Sequence, residues 1–194
     1  MGRIPALALA TALATGGLVA CTGGPAGDGA GQGGAESQAS GGASADVAVS
    51  TLAGQFETVS GYLISAAEQV SEEDYAFSPT EEVRSLGGIL GHVAGAHFAY
   101  CSSAAGEEAP AAADQEAESK AQVVEKLQAS QQYCLDVYRQ TTAQNMGAEA
   151  TIFGNQTTRF SALVSNLAHD NQHYGNIVTY MRSIDMVPPS SQGG

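Results

Sequence analysis

Four histidines, arranged as two pairs, are the residues of this sequence best suited to chemistry. His92 and His97 form one pair, and His169 and His173 form the other. On a helix, the four-residue spacing of the second pair places both imidazoles on one side, about one turn apart. Imidazole nitrogens bind Zn, Ni, Cu and Fe, and a third histidine would leave one position for water or substrate. The pattern therefore predicts a metal site built on His169 and His173.

The third ligand has two candidates on one preceding helix. His92 lies about 100° from the centre of the apolar stripe of that helix, at a margin that solvent reaches. His97 lies on the stripe itself, where a packed and hydrogen-bonded core histidine is expected. Gly88 and Gly95 share the side of His92, and each costs about 1 kcal/mol of helix propensity relative to alanine, which indicates that space is needed there. Periodicity alone does not choose between the two histidines.

Four amphipathic helices would position these side chains. Apolar residues recur at spacings of three and four, which is typical of helices with one buried face. The helices begin near Ser50, Ser78, Glu116 and Thr157, and the last two run to about Thr142 and Ile184. The first has as its predicted core face Leu52, Phe56, Val59, Leu63, Ala66 and Val70.

The second and third helices carry more specific signals. Ser78 offers a cap hydroxyl and Pro79 a proline at the first helical position, with Val83 the first member of the apolar stripe. The third helix is more polar than the others, and its predicted buried residues are Val123, Leu127, Cys134, Leu135, Val137 and Tyr138.

An all-α four-helix bundle is the predicted fold. Strand-like alternation is confined to ambiguous fragments such as residues 150–153, and four one-sided helices are best buried against one another. The bundle is placed at residues 47–191, followed by a tail at 192–194. With 7 basic against 20 acidic residues, a net charge of −13, the chain lacks the basic surface that nucleic acid requires.

The first 20 residues have the pattern of a secretory signal. An early positive charge, Arg3, precedes an apolar run that ends in small residues. The segment Leu18-Val19-Ala20-Cys21 resembles the lipobox of bacterial lipoproteins. That resemblance implies cleavage before Cys21, diacylglycerol on its thiol and palmitate in the mature protein. We expect a lipid to anchor the protein in the cell membrane or outer membrane, with the bundle facing the periplasm or the exterior.

A flexible linker is predicted after the lipidated cysteine, over residues 21–46. Residues 22–46 contain many Gly, Ala and Ser and no Val, Leu, Ile or aromatic side chain. Such a segment buries too little apolar area to offset the entropy lost on ordering. The linker would hold the bundle clear of the lipid.

Several stretches together resemble the DinB-like (DinB/YfiT) family of metal-binding four-helix proteins, over about residues 50–191. The stretches are Val83-Arg84-Ser85, Gly91-His92-Val93-Ala94, Tyr100-Cys101-Ser102, the run from His169 to Ile177, Tyr180-Met181-Arg182 and Val187-Pro188-Pro189-Ser190. The resemblance implies a divalent ion, most often zinc or nickel, held by His92, His169 and His173. It thereby favours His92 over His97.

The resemblance leaves the reaction open. Some relatives are thiol-dependent transferases or isomerases, but low-molecular-weight thiols are scarce outside the cytoplasm. We therefore carry two hypotheses: a metal-dependent transferase or hydrolase of the envelope that acts on a small molecule, and a non-catalytic module that binds metal or ligand. Asp170 and Tyr174 are candidates to support the ligands from behind. A homodimer is a further expectation.

Cys101 and Cys134 remain once Cys21 is lipidated. In an oxidising compartment an even pair of cysteines can form a disulfide. A reactive thiol near the metal is the weaker interpretation, because Cys101 lies nine residues from His92, about 13 Å along the helix axis. The sequence predicts a structural bridge or two buried thiols.

Overall fold

The structure is a computed structural model that describes residues 33–114 and 119–193. Cys21, the predicted signal peptide and the first part of the predicted linker lie outside these residues. The main helices and strands are, in chain order, α1 (Gly33–Gln69), α2 (Leu86–Ala105), α3 (Lys120–Arg139), β1 (Glu149–Ile152), β2 (Asn155–Thr158) and α4 (Arg159–Ser183). Within the described ranges, no helix combines the length and apolar character that crossing a membrane requires.

The four long helices form a bundle, which confirms the predicted fold class. Both α1 and α2 pack against α3 and α4, whereas α1 and α2 touch each other little. The two helices that carry histidines, α2 and α4, are therefore direct neighbours. This adjacency allows side chains from both helices to meet at one point.

The predicted core faces of α1 and α3 are confirmed. All six residues predicted for α1 are buried, and so are all six predicted for α3. The ring of Phe56 on α1 stacks on that of Tyr138 on α3, with centroids 4.7 Å apart. Spacing alone was sufficient here because each face is continuous over several turns.

The predicted start of the second helix is wrong. Ser78 does not cap it; α2 begins after Ser85, whose Oγ accepts a hydrogen bond from the Gly88 amide at 3.1 Å. Val83 therefore precedes the helix, and its side chain is 45% exposed. The buried ring of Tyr75 occupies the space beside the new start, where a Cβ on Gly87 would lie 2.5 Å from it. The helix therefore begins seven residues later than its local cap signals predicted.

The first helix is longer than its apolar pattern. Residues 33–46 are helical in the structure, which differs from the flexible linker predicted there. Among the residues of α1 from 41 onward, whose burial is described, Val49 is the first that is buried, and Asp46 Oδ1 accepts a hydrogen bond from the Ala143 amide at 3.0 Å. Alanine favours a helix in this stretch, but glycine, which is equally frequent there, disfavours it, so helix propensity does not explain the extension.

A small β-hairpin interrupts the all-helical pattern between α3 and α4. The ambiguous fragment at 150–153 contributes most of β1, which pairs antiparallel with β2 so that Ile152 faces Asn155. The two residues between the strands, Phe153 and Gly154, both have positive φ, 49° and 81°. This is the backbone of a type I′ turn, in which asparagine, aspartate and glycine are the favoured residues. A phenylalanine at this position is conformationally strained.

Candidate metal centre

Three histidines from two helices converge at the edge of the bundle. His92 projects from α2, and His169 and His173 project from α4 one turn apart. The centroids of the His169 and His173 rings lie 4.4 Å apart. The His92 ring lies 5.1 Å from that of His169 and 5.0 Å from that of His173. All three rings are partly buried, as expected at the margin of the core.

The nitrogen positions fit a common ion. One ring nitrogen from each histidine can be chosen so that all three lie within 4.8 Å of one another. His92 Nε2 and His169 Nε2 are 3.2 Å apart. Two nitrogens bound tetrahedrally to zinc at about 2.0–2.1 Å would be roughly 3.3 Å apart, so this pair needs little movement. The three histidines can hold a metal ion.

Burial keeps these imidazoles neutral. Desolvation, followed by the nearby His173 and His92 rings, lowers the pKa of His169 from 6.5 to about 4. Burial likewise lowers the pKa of His92 and of His173, with a smaller contribution from the Arg84 charge in both cases. A metal ion binds the neutral form of imidazole, so no proton has to be displaced near neutral pH.

The same shifts predict how the metal-free protein responds to acid. The unfolded chain takes up protons at histidine near pH 6.5, whereas folded His169 takes up its proton only near pH 4. The unfolded state therefore binds more protons between these values, and the free energy of unfolding should fall by roughly 1–2 kcal/mol from pH 7 to pH 5. Urea unfolding across this range measures the slope. Replacing all three histidines with asparagine should flatten it, and a rise in stability on acidification would contradict the assignment.

His97 is a core residue, as its place on the apolar stripe predicts. It is fully buried, and its Nε2 lies 2.9 Å from Asp170 Oδ1. Its Nδ1 lies 3.0 Å from Ser130 Oγ on α3. Both ring nitrogens are thus used within the core, and His97 points away from the cluster formed by the other three histidines.

The two residues expected to support the ligands make other contacts. Asp170 binds His97, and the Tyr174 hydroxyl accepts a hydrogen bond from the Ser190 amide at 2.9 Å. Within the described residues, His169 Nδ1 and His173 Nδ1 are buried and have no hydrogen-bond partner. A buried nitrogen without a hydrogen-bond partner costs free energy. None of the described residues supports either ring through this nitrogen.

Two aromatic residues lie beside the cluster that the sequence did not predict as site residues. Tyr100 on α2 is only partly buried, and its ring lies 5.6 Å from that of His169. Phe153, at the hairpin tip, packs edge-on against Tyr100 at 5.5 Å. A phenylalanine directly before Gly154, between the predicted third and fourth helices, is the signal that could have drawn attention to it. At Gly95, one turn from His92, an added Cβ would meet nothing within 4 Å, so there is open space.

Cys101 and Cys134 form a disulfide between α2 and α3, with their Cα atoms 5.4 Å apart. Both residues are fully buried. The bond closes a loop of 33 residues that contains the connection between the two helices. Neither sulfur is therefore a free thiol available to the histidine cluster.

Comparison with known proteins places the chain in a family. The model of the DinB superfamily matches residues 55–177. The solved structure of a DinB-like protein, YjoA of Bacillus subtilis, is similar with a TM-score of 0.61 and 18% identity, covering 74% of this chain and 99% of that one. A DinB-like protein of Bacillus cereus ATCC 10987 has a TM-score of 0.59 and 14% identity, covering 68% and 89% of the two chains.

At these identities the two structures support the fold alone. No curated protein matches the chain. The family model, however, spans more than half of the sequence and includes His92, His169 and His173. The family expected from the sequence motifs is confirmed, and the chain belongs to the DinB superfamily.

Proposed function

We propose that this protein binds a divalent metal ion through His92, His169 and His173 and works with it as a transferase or hydrolase of the cell envelope. The observation that carries the proposal is that one ring nitrogen from each of the three histidines lies within 4.8 Å of the other two, on a partly exposed edge of the bundle. Three protein ligands leave room for a substrate atom, whereas a closed four-ligand site would be structural.

Zinc and nickel are the metals that suit the site best. All three donors are imidazole nitrogens, and no carboxylate of the described residues joins the cluster. Imidazole suits Zn, Ni, Cu and Fe, whereas Mg and Ca prefer oxygen ligands. When bound, such an ion would polarise a carbonyl or activate water. The chain itself would hold the ion, keep its ligands neutral and leave space beside Gly95.

A non-catalytic binding module is the second candidate. It is favoured by the surroundings of the ligands, because Asp170 is engaged with His97 and Tyr174 with the Ser190 amide. Neither side chain is therefore placed to move a proton at the cluster. In this reading the protein holds metal or a small ligand without turnover.

We further propose that the bundle is tethered to the membrane by lipid on Cys21. The cysteine pair on α2 and α3 supports export, because structural disulfides persist in oxidising compartments. The net charge of −13 favours a small-molecule partner over nucleic acid. Self-association into a homodimer remains a prediction. Labelling of cells with palmitate tests the tether. We expect the unaltered protein to carry the label and the Cys21→Ser variant to lack it.

Metal analysis of the full chain tests the proposed function. We expect about one Zn or Ni per chain after dialysis, and none in the variant with His92, His169 and His173 all replaced by alanine. Gln172→Ala is the matched control, because this exposed residue lies on α4 between two of the ligands. Stoichiometric metal with turnover of ester, amide or thiol substrates supports the enzyme. Metal without turnover across this panel supports the binding module. No metal in the unaltered chain refutes the enzyme and the metal-binding form of the module.

A further inference from the structure

Phe153 occupies a position that folding alone does not favour. Its side chain is 72% exposed, and its backbone has a φ of 49°. Water disfavours the exposed ring, and the left-handed backbone disfavours any bulky residue. Asparagine would satisfy this turn without either cost. Strain of this kind, found at an exposed position, points to a role outside folding.

The hairpin holds Phe153 at a defined place. The turn is anchored by the pairing of Ile152 with Asn155. Ser103 on α2 donates a hydrogen bond to the Thr151 carbonyl at 2.5 Å, which ties β1 to the helix that carries His92. The tip is therefore fixed against α2.

A continuous aromatic surface joins the hairpin tip to the histidine cluster. The Phe153 ring lies 5.5 Å from that of Tyr100, and the Tyr100 ring lies 5.6 Å from that of His169. The open space at Gly95 lies on α2 between His92 and Tyr100 in the sequence. A group bound at the histidines thus has an apolar wall on one side of it.

We propose that Phe153 and Tyr100 form an aryl-binding wall, which selects substrates or ligands that carry a flat apolar ring next to their metal-binding atoms. This inference rests on the proposed function, because the metal supplies the other half of the binding site. Offset or edge-on contact with aromatic rings is the interaction that such a wall offers. Phe153 is then a specificity-determining residue whose exposed ring is covered when ligand binds.

Two hydroxamates that differ only in the ring provide the test. The full chain in detergent is loaded with Co²⁺, and the visible spectrum is titrated with benzohydroxamate and with acetohydroxamate. We expect the unaltered protein to bind benzohydroxamate about ten-fold more tightly than Phe153→Asn does, with acetohydroxamate binding unchanged. Val187→Asn, which removes another exposed apolar side chain, is the control and should leave both affinities unchanged.

A second measurement excludes a merely structural role for Phe153. The melting temperature of metal-free Phe153→Asn should equal or exceed that of the unaltered protein, because asparagine relieves the turn. A lower melting temperature would make Phe153 a packing residue and overturn the inference. Cobalt uptake without any difference between the variants in benzohydroxamate binding would also overturn it, while leaving the proposed metal site intact. Failure of the unaltered chain to take up cobalt would refute the metal site and, with it, the wall.

Discussion

We expect zinc to stabilise the folded protein by about 4 kcal/mol and to raise its melting temperature by roughly 10 °C. These values apply when the zinc concentration is about a thousand times the dissociation constant. The stabilisation follows from linkage, because the ion binds the folded state, in which the three histidines meet, more tightly than the unfolded chain. His92 and His169 are 77 residues apart in sequence, so the unfolded chain offers no comparable site. Calorimetry with and without Zn²⁺ measures the shift.

His173→Ala should remove most of this stabilisation. Loss of one of three protein ligands is expected to weaken the metal at least about a hundred-fold. The same zinc concentration is then at most about ten times the dissociation constant, and the stabilisation falls to about 1.4 kcal/mol or less. Because His173 is only partly buried, its removal should change the stability of the metal-free protein little. Gln172→Ala should keep the full zinc-dependent shift. An equal shift in His173→Ala would show that zinc binds elsewhere and would contradict the three-histidine site.

Breaking the buried pair of His97 and Asp170 is expected to destabilise the protein by about 3–5 kcal/mol. Both side chains are fully buried, and they join α2 to α4 through one contact of 2.9 Å. In His97→Ala the Asp170 carboxyl would lose this partner, and its Oδ2 already has none among the described residues. The cost is therefore dominated by a buried polar group left without compensation. Urea unfolding of the single variants measures it.

The double variant separates this pairing from ordinary loss of packing. Replacing His97 and Asp170 together with leucine removes both polar groups and retains apolar volume. We expect it to cost clearly less than the sum of His97→Leu and Asp170→Leu, because neither polar group is left buried alone. Additive effects would show that the two residues contribute independently and that their contact has little energetic weight.

The four histidines therefore have two different roles, although they lie on the same two helices: three form the candidate metal site, and His97 pairs with Asp170 in the core. Asp170 directly follows the ligand His169 on α4, but it faces the core and contacts His97. One turn of α4 thus carries a candidate metal ligand, His169, at the solvent margin and a residue that anchors α4 to α2, Asp170, in the interior. The anchor positions α4 against α2, the helix from which His92 projects.

Much of this arrangement could be predicted from the order of residues along the chain. The core face of α1 follows from regular spacing, because a helix repeats every 3.6 residues and each apolar side chain signals the same side. By the same rule, the four-residue spacing of His169 and His173 places both imidazoles on one face of the helix. His97 was recognisable as a core residue from its place among apolar neighbours.

Other features depend on residues that are distant in sequence, and no local pattern reports them. Ser85, and not Ser78 with its better local motif, caps α2, and the distant Tyr75 packs beside Gly87 at that start. The choice of His92 as third ligand required α2 and α4 to be neighbours, and the partner of Asp170 was decided by the same packing. The wall formed by Tyr100 and Phe153 exists only because a hairpin after α3 folds back onto α2. Periodicity is a property of one helix, whereas these contacts arise when separate elements pack and only certain side chains meet.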